Sequence, residues 1–218
     1  MERKFTMSLK IRVYSDFVCP FCYIGEKPLM EAIEGKDVEL EWMPFELRPE
    51  PVEPLSPNSH YIQTAWHQSV KPLSARFGVN MELPDIDPIP RTHFAHEGYQ
   101  YAKEQGKALE YVHAVFSAYW QEGKNISDID VLSEAAEKIG LNKEEFRAVL
   151  ETRRYKEVHQ QALKHAYEEA NVTAVPTFII GNRMLRGLHT KEMIEKVILE
   201  QTENEDDLLG KSCGIDGC

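Results

Sequence analysis

The sequence predicts an α/β protein in which a β-α-β unit at the N-terminus and a β-hairpin with a closing helix at the C-terminus are separated by a large all-helical insertion. Three observations carry this expectation. Apolar and charged residues alternate at 9–14 and again at 38–47, with a helical pattern between them. From Ser59 to Asn171 the periodicity is helical throughout, and at Thr173 β character returns. Finally, two cysteines spaced Cys-x-x-Cys stand where the first strand gives way to the first helix.

The elements follow in chain order. Leu9-Lys-Ile-Arg-Val-Tyr14 has the period of two that half-buries a strand. Pro20 suits the first turn of a helix, where a missing N–H costs nothing, and Ile24, Leu29, Met30 and Ile33 give that helix an apolar face as far as Gly35, with a kink expected at Pro28. Val38 to Leu47 reads as the second strand, Pro44 marking its end or an edge position, so the three elements form a right-handed parallel unit. Four prolines between Arg48 and Asn58 make an extended linker. The helices expected next are 59–77, 92–105, 108–122, 128–139, 143–152 and 154–170. Asp128 and Asn142 signal two of their starts. Thr173 to Ile180, Gly181-Asn182 and Arg183 to Gly187 form a hairpin. Thr190 caps a last helix to Gln201, with Met193, Ile194, Val197 and Ile198 facing inward, and an acidic, then glycine-rich, mobile tail follows. The domain organisation expected is therefore 8–56 with 172–201, a helical insertion over 57–171, and a tail over 202–218.

Composition narrows the function. A formal net charge of −11 disfavours a polyanion partner, so no nucleic acid is expected. Basic residues near the N-terminus are followed by no apolar run, which predicts a cytoplasmic protein without membrane attachment. Four cysteines are too few to scaffold a chain of 218 residues. A reducing compartment makes Cys19 and Cys22 catalytic or metal-binding rather than structural.

The thiolate is the attacking form of cysteine, and Cys19 lies where the unpaired N–H groups of a helix start favour negative charge. Cys19 is thus the expected nucleophile. Cys22, one turn in, is placed to attack a mixed disulfide and release the other partner. A zinc site joining Cys19 and Cys22 to Cys213 and Cys218, in a zinc-stabilised adaptor module without enzymatic activity, is one competing reading, but the spacing is poor and no metal is expected. Phe17, Phe21 and Tyr23 offer either core packing or an apolar surface for a polypeptide.

The motif Cys19-Pro20-Phe21-Cys22 after a strand, the helical insertion, and Ala174-Val175-Pro176-Thr177-Phe178 before a hairpin and helix resemble the DsbA-like thioredoxin superfamily, most closely its FrnE-type branch. The resemblance runs from Leu9 to about Gln201. It implies a thioredoxin fold interrupted by the insertion and thiol-disulfide oxidoreductase activity. It makes Cys19 the exposed nucleophile, Cys22 the resolving thiol and Pro176 a cis-proline. Val175 would then offer its backbone to a peptide, beside Pro20 and Phe21. Partners would be protein or peptide thiols and disulfides, with glutathione a candidate co-substrate and no cofactor beyond the dithiol. Kappa-class glutathione transferases and 2-hydroxychromene-2-carboxylate isomerases share the fold but typically carry serine where Cys19 stands, so they form the alternative.

Cys213 and Cys218 are expected to act as an auxiliary redox pair through a flexible tail. His93 and His96 lack a metal-binding frame and are expected to pack or face solvent. Asp16 and Glu46 lie near strand ends by the motif, as proton relays or, more simply, as solvated or salt-bridged carboxylates. Trp66, Phe116, Tyr119 and Trp120 are expected to build the core of the insertion and in part to roof the site.

Overall fold

The computed structural model describes residues 8–212, with side-chain packing described as far as Glu203. Strand β1 (Leu9–Ser15) pairs in parallel with β2 (Val38–Pro44), Leu9 opposite Val38 and Ser15 opposite Pro44, and helix α1 (Pro20–Ile33) makes the crossover. Strand β3 (Thr177–Ile180) runs antiparallel on the other side of β1, and β4 (Arg183–Arg186) closes the hairpin. The sheet order is β2-β1-β3-β4, so Pro44 is both the last residue of its strand and on an edge. The chain is mixed α/β, with the helical insertion lying between β2 and β3.

Each end of the sequence supplies a face of the same core. Ile11, Val13 and Tyr14 of β1 and Phe178 and Ile180 of β3 are buried, as are Ile194, Val197 and Ile198 of α9 (Lys191–Ser212). Helix α9 lies on β1 and β3 and packs along α1. Gly181 turns the hairpin at φ +56°, a conformation open to glycine at little cost.

The insertion comprises α2 (His60–Ala65), a π-helical turn over Trp66–Val70, α3 (Lys71–Phe77), α4 (His93–Glu104), α5 (Ala108–Trp120), α6 (Ile129–Lys138), α7 (Lys143–Glu151), α8 (Lys156–Lys164) and a second π turn over His165–Glu169. Asp128 caps α6 by accepting from the Asp130 N–H at 2.8 Å, and Asn142 caps α7 by accepting from the Glu145 N–H at 3.0 Å. Aromatic rings fasten this segment to α1. Tyr23 of α1 stacks near-parallel on Trp120, and Trp120 on Trp66, at centroid distances of 6.3 and 6.4 Å.

Four expectations need correction. The stretch 59–77 is not one uniform α-helix, because a π turn is inserted just before Pro72, whose nitrogen can donate no hydrogen bond. The stretch 154–170 likewise ends in a π turn. Met193 is 44% exposed, one residue off the buried stripe that Ile194, Val197 and Ile198 define. The last helix does not stop at Gln201 but continues to Ser212, since neither glycine nor proline interrupts the sequence before Gly210.

Packing is close where α4 crosses α5 and α7. A Cβ on Gly98 would collide with the Tyr111 hydroxyl and come within 2.6 Å of Phe146 Cζ. The substitution Gly98→Ala is therefore expected to destabilise the protein by about 1–3 kcal/mol, the usual cost of overpacking a filled core. Urea unfolding should show the midpoint falling with the slope unchanged.

Candidate dithiol active site

The site is assembled by the end of β1, the start of α1 and the segment before β3. The Cys19 N–H donates to the Asp16 carbonyl at 3.1 Å, a turn that converts strand into helix. Cys19 is itself the N-cap, with extended φ −83° and ψ 115°, and its carbonyl accepts from the N–H groups of Cys22 and Tyr23 at 3.1 and 3.3 Å. Pro20 fills the first helical position, and no acidic side chain stands in the first turn. The positive end of the helix is left to act on the cysteine rather than on a carboxylate.

Across from it, the Val175–Pro176 peptide is cis. The Cys19 thiol points at the Val175 carbonyl, Sγ to oxygen 3.7 Å. Pro176 is held on both sides: its carbonyl accepts from the Gly187 N–H at 2.7 Å, and its ring lies against α1 at Gly25, where an added Cβ would sit 3.5 Å from Pro176 Cγ.

A cavity of about 480 Å³ opens on this junction. Cys19, Pro20, Phe21 and Val175 line it together, while Cys22 and Pro176 lie behind the wall. Trp66, Tyr119 and Trp120 form part of the opposite wall, so the insertion roofs the site as well as building its own core. Arg91 secures the rim by donating from its guanidinium to the Arg48 and Val52 carbonyls at 2.9 and 3.0 Å.

Both sulfurs are reduced thiols, and neither is exposed. Cys19 is 3% accessible, which corrects the expectation of an exposed nucleophile: it sits at the floor of a cavity, not on a surface. Cys22 is buried at its side. Burial, reinforced by the Cys19 sulfur, pushes the Cys22 thiol well above its ordinary pKa, against the weaker pull of the Ser15 hydroxyl and the Asp16 backbone N–H. The two thiols are thus chemically unequal: one faces the cavity, the other is held protonated behind it.

Asp16 and Glu46 are buried, 1% and 6% accessible, so the solvated reading of these carboxylates is overturned. Asp16 Oδ2 accepts from the Leu47 N–H at 2.7 Å, and its Oδ1 faces His96 Nε2 at 3.8 Å. Glu46 Oε1 lies 2.6 Å from Nε2 of His159. No sequence motif joins His159 to residues 16, 46 and 96. His93 is half-buried, and burial and the Arg153 charge hold it below its ordinary pKa. Phe17 and Tyr23 are core residues, whereas Phe21 reaches the cavity. Cys213 and Cys218 lie outside the described residues. Among the described residues no cluster of metal ligands occurs, and no helix is long and apolar enough to cross a membrane.

Residues 10–199 match the DSBA-like thioredoxin domain, and the chain belongs to that family. YwbO of Bacillus subtilis is 49% identical over 200 residues, covering 91% of this chain and all of that one. A solved structure of 2-hydroxychromene-2-carboxylate isomerase superposes with a TM-score of 0.72 at 20% identity, over 91% of this chain and 98% of the other. The cytosolic disulfide reductase DsbM of Pseudomonas aeruginosa, solved with GSH, gives a TM-score of 0.65 at 15% identity, over 92% and 99%.

The inequality of the thiols is open to direct measurement. Brief treatment of the native reduced protein with iodoacetamide at neutral pH should label Cys19 and spare Cys22, which reacts only after unfolding. Peptide mass mapping that found Cys22 labelled first would contradict this arrangement.

Proposed function

We propose that the protein is a thiol-disulfide oxidoreductase that works through Cys19 and Cys22 on disulfides of proteins or peptides, with glutathione as a further thiol partner. The observation that carries the reading is the placement of one sulfur at the head of α1 on the floor of an apolar cavity with the second in reach behind it. The Cys19 thiolate attacks a substrate disulfide, forming a Cys19–substrate bond and releasing one substrate thiolate. Cys22 then loses its proton and attacks Cys19 Sγ, and the second substrate thiolate leaves. Two electrons and two protons pass from the dithiol to the substrate, and the enzyme keeps a Cys19–Cys22 disulfide. No further cofactor enters this balance.

The cavity supports a substrate with an apolar body. Its volume lies within the range of small-molecule sites, and aromatic faces line the wall opposite Cys19. The Val175 carbonyl, now in contact with the Cys19 thiol, stands at the edge where an extended peptide would pair. Glutathione as a partner is supported by the DsbM likeness, and a cytoplasmic setting agrees with that protein's description. Placement in the FrnE-type branch rests on the sequence resemblance. On the same reading, the insertion is a roof added to a discontinuous thioredoxin domain. The isomerase likeness keeps a glutathione-dependent isomerase as the alternative, and a paired dithiol argues against it.

Single substitutions divide the two readings. Cys19→Ser is expected to abolish disulfide exchange, measured as insulin reduction or as refolding of a scrambled-disulfide protein. Cys22→Ser should retain the first attack and accumulate a mixed disulfide visible by mass spectrometry. A Cys22→Ser protein that turned over as fast as the parent would point to the isomerase class.

A further inference from the structure

The helical insertion is bonded to the turn before the dithiol by the side chain of Trp120. This last residue of α5 donates its indole N–H to the Phe17 carbonyl at 2.9 Å, and that carbonyl has no other donor among the described residues. Phe17 and Trp120 are both buried, so the bond lies where water does not compete for it. The neighbours of the indole fix the direction of its N–H. Tyr23 and Trp66 lie within 7° and 3° of parallel to it, and Tyr119 meets it edge-on at 4.8 Å. The Trp120 carbonyl in turn accepts from the Glu82 N–H at 2.9 Å, which holds the end of α5 in place.

Where the Phe17 carbonyl points matters to the start of α1. In a continuous helix the Phe21 N–H would bond to the carbonyl four residues earlier, which is that of Phe17. The extended backbone of Cys19 takes the chain out of helical geometry, and this bond is not made. The N–H groups of Cys22 and Tyr23 are taken by the Cys19 carbonyl, whereas the Phe21 N–H has no partner among the described residues. Pro20 has no N–H to offer. An N-cap side chain reaches the N–H groups of the second and third helical residues, here Phe21 and Cys22. The Phe21 N–H is therefore the open donor for the Cys19 sulfur once that sulfur has lost its proton. In the thiol form the sulfur instead directs its proton at the Val175 carbonyl.

Resting on the disulfide-exchange reading above, we propose that Trp120 is a positioning residue for the attack by Cys19: by holding the Phe17 carbonyl away from the helix start, it reserves the Phe21 N–H for the attacking sulfur. Without the indole N–H the buried Phe17 carbonyl is left bare, and the open Phe21 N–H is the donor that helical geometry offers it. That exchange of partners takes from the Cys19 thiolate the hydrogen bond that favours it. The chemical step keeps its balance: the thiolate bonds to one substrate sulfur, the substrate S–S bond breaks, and the other sulfur leaves with the electron pair. Trp120 also lines the cavity together with Cys19. The insertion is thus more than a roof, because one of its side chains sets the readiness of the nucleophile.

The test compares the full-length parent with Trp120→Phe, which keeps a ring and removes the N–H. Both are reduced, and the rate at which iodoacetamide labels Cys19 is followed by peptide mass from acid to alkaline pH. So small a reagent does not draw on the aromatic wall of the cavity for binding. Labelling of the variant at neutral pH should slow by on the order of tenfold, the scale of one hydrogen bond to a charged group. At alkaline pH, where the thiol is ionised in both proteins, the rates should converge. Loss of the bond to the thiolate weakens the reduced form, so in a fixed glutathione buffer the ratio of disulfide to dithiol should rise by a similar factor. Should Trp120→Phe fail to fold, benzothienylalanine in place of Trp120 keeps the fused rings and exchanges the N–H for sulfur, with the same shifts expected. A variant that loses thermal stability but keeps the parental pH profile overturns the proposal and leaves exchange intact. A parent protein that forms no Cys19–Cys22 disulfide in any glutathione buffer removes the exchange reading itself, and this inference with it.

Discussion

The meeting of the first turn of α1 with the segment before β3 is the contact on which the rest of the molecule depends. Strand β1 must end at Ser15 for the chain to turn at Asp16 and start a helix at Pro20. Strand β3 must pair with β1 at Tyr14 opposite Thr177 for Val175 and Pro176 to arrive beside Cys19. A slip of one residue in that pairing would reverse which side chains of β3 face the core and carry Val175 away from the sulfur. The hairpin, the packing of α9 on the sheet and the hydrogen bond from Gly187 to Pro176 all fix this register.

The helical insertion reads best as the other half of the same site. Its rings are not sealed in a separate core: Phe116 meets Phe17 and Tyr23, and Trp120 both stacks on Tyr23 and donates its indole N–H to the Phe17 carbonyl at 2.9 Å. The last of these bonds pins the roof to the residue two before Cys19. Apolar walls around the Cys19 sulfur exclude water, which strengthens the influence of nearby dipoles and charges on it.

Much of this was legible in the sequence because it was local. Alternation marked β1 and β2, Pro20 and the cysteine spacing marked the start of α1, and Asp128, Asn142 and Thr190 marked helix caps. Gly181-Asn182 marked a turn whose strands pair as the pattern required. The buried line of His96, His159, Asp16 and Glu46 was not legible, because its members come from four segments and meet only in the fold. Carboxylates at positions 16 and 46 look like solvent groups until the helices of the insertion cover them. The low accessibility of Cys19 is hidden from the sequence for a related reason: the walls that enclose it are built by residues far along the chain. The π turns, and the extension of α9 past Gln201, reflect backbone choices that hydrophobic periodicity records only weakly.

Disulfide exchange at this site requires a reversible bond between two sulfurs with unequal surroundings. Equilibrating the full-length protein in buffers of varied glutathione ratio, quenching with acid and resolving the products by mass tests it directly. Expected is a species two hydrogens lighter than the dithiol form, mapped to Cys19–Cys22, whose ratio to the dithiol form falls in inverse proportion to the square of the reduced glutathione concentration divided by the oxidised. A protein in which Cys19 carried only a glutathione adduct, and never closed the ring with Cys22 even under stronger oxidants, would contradict it.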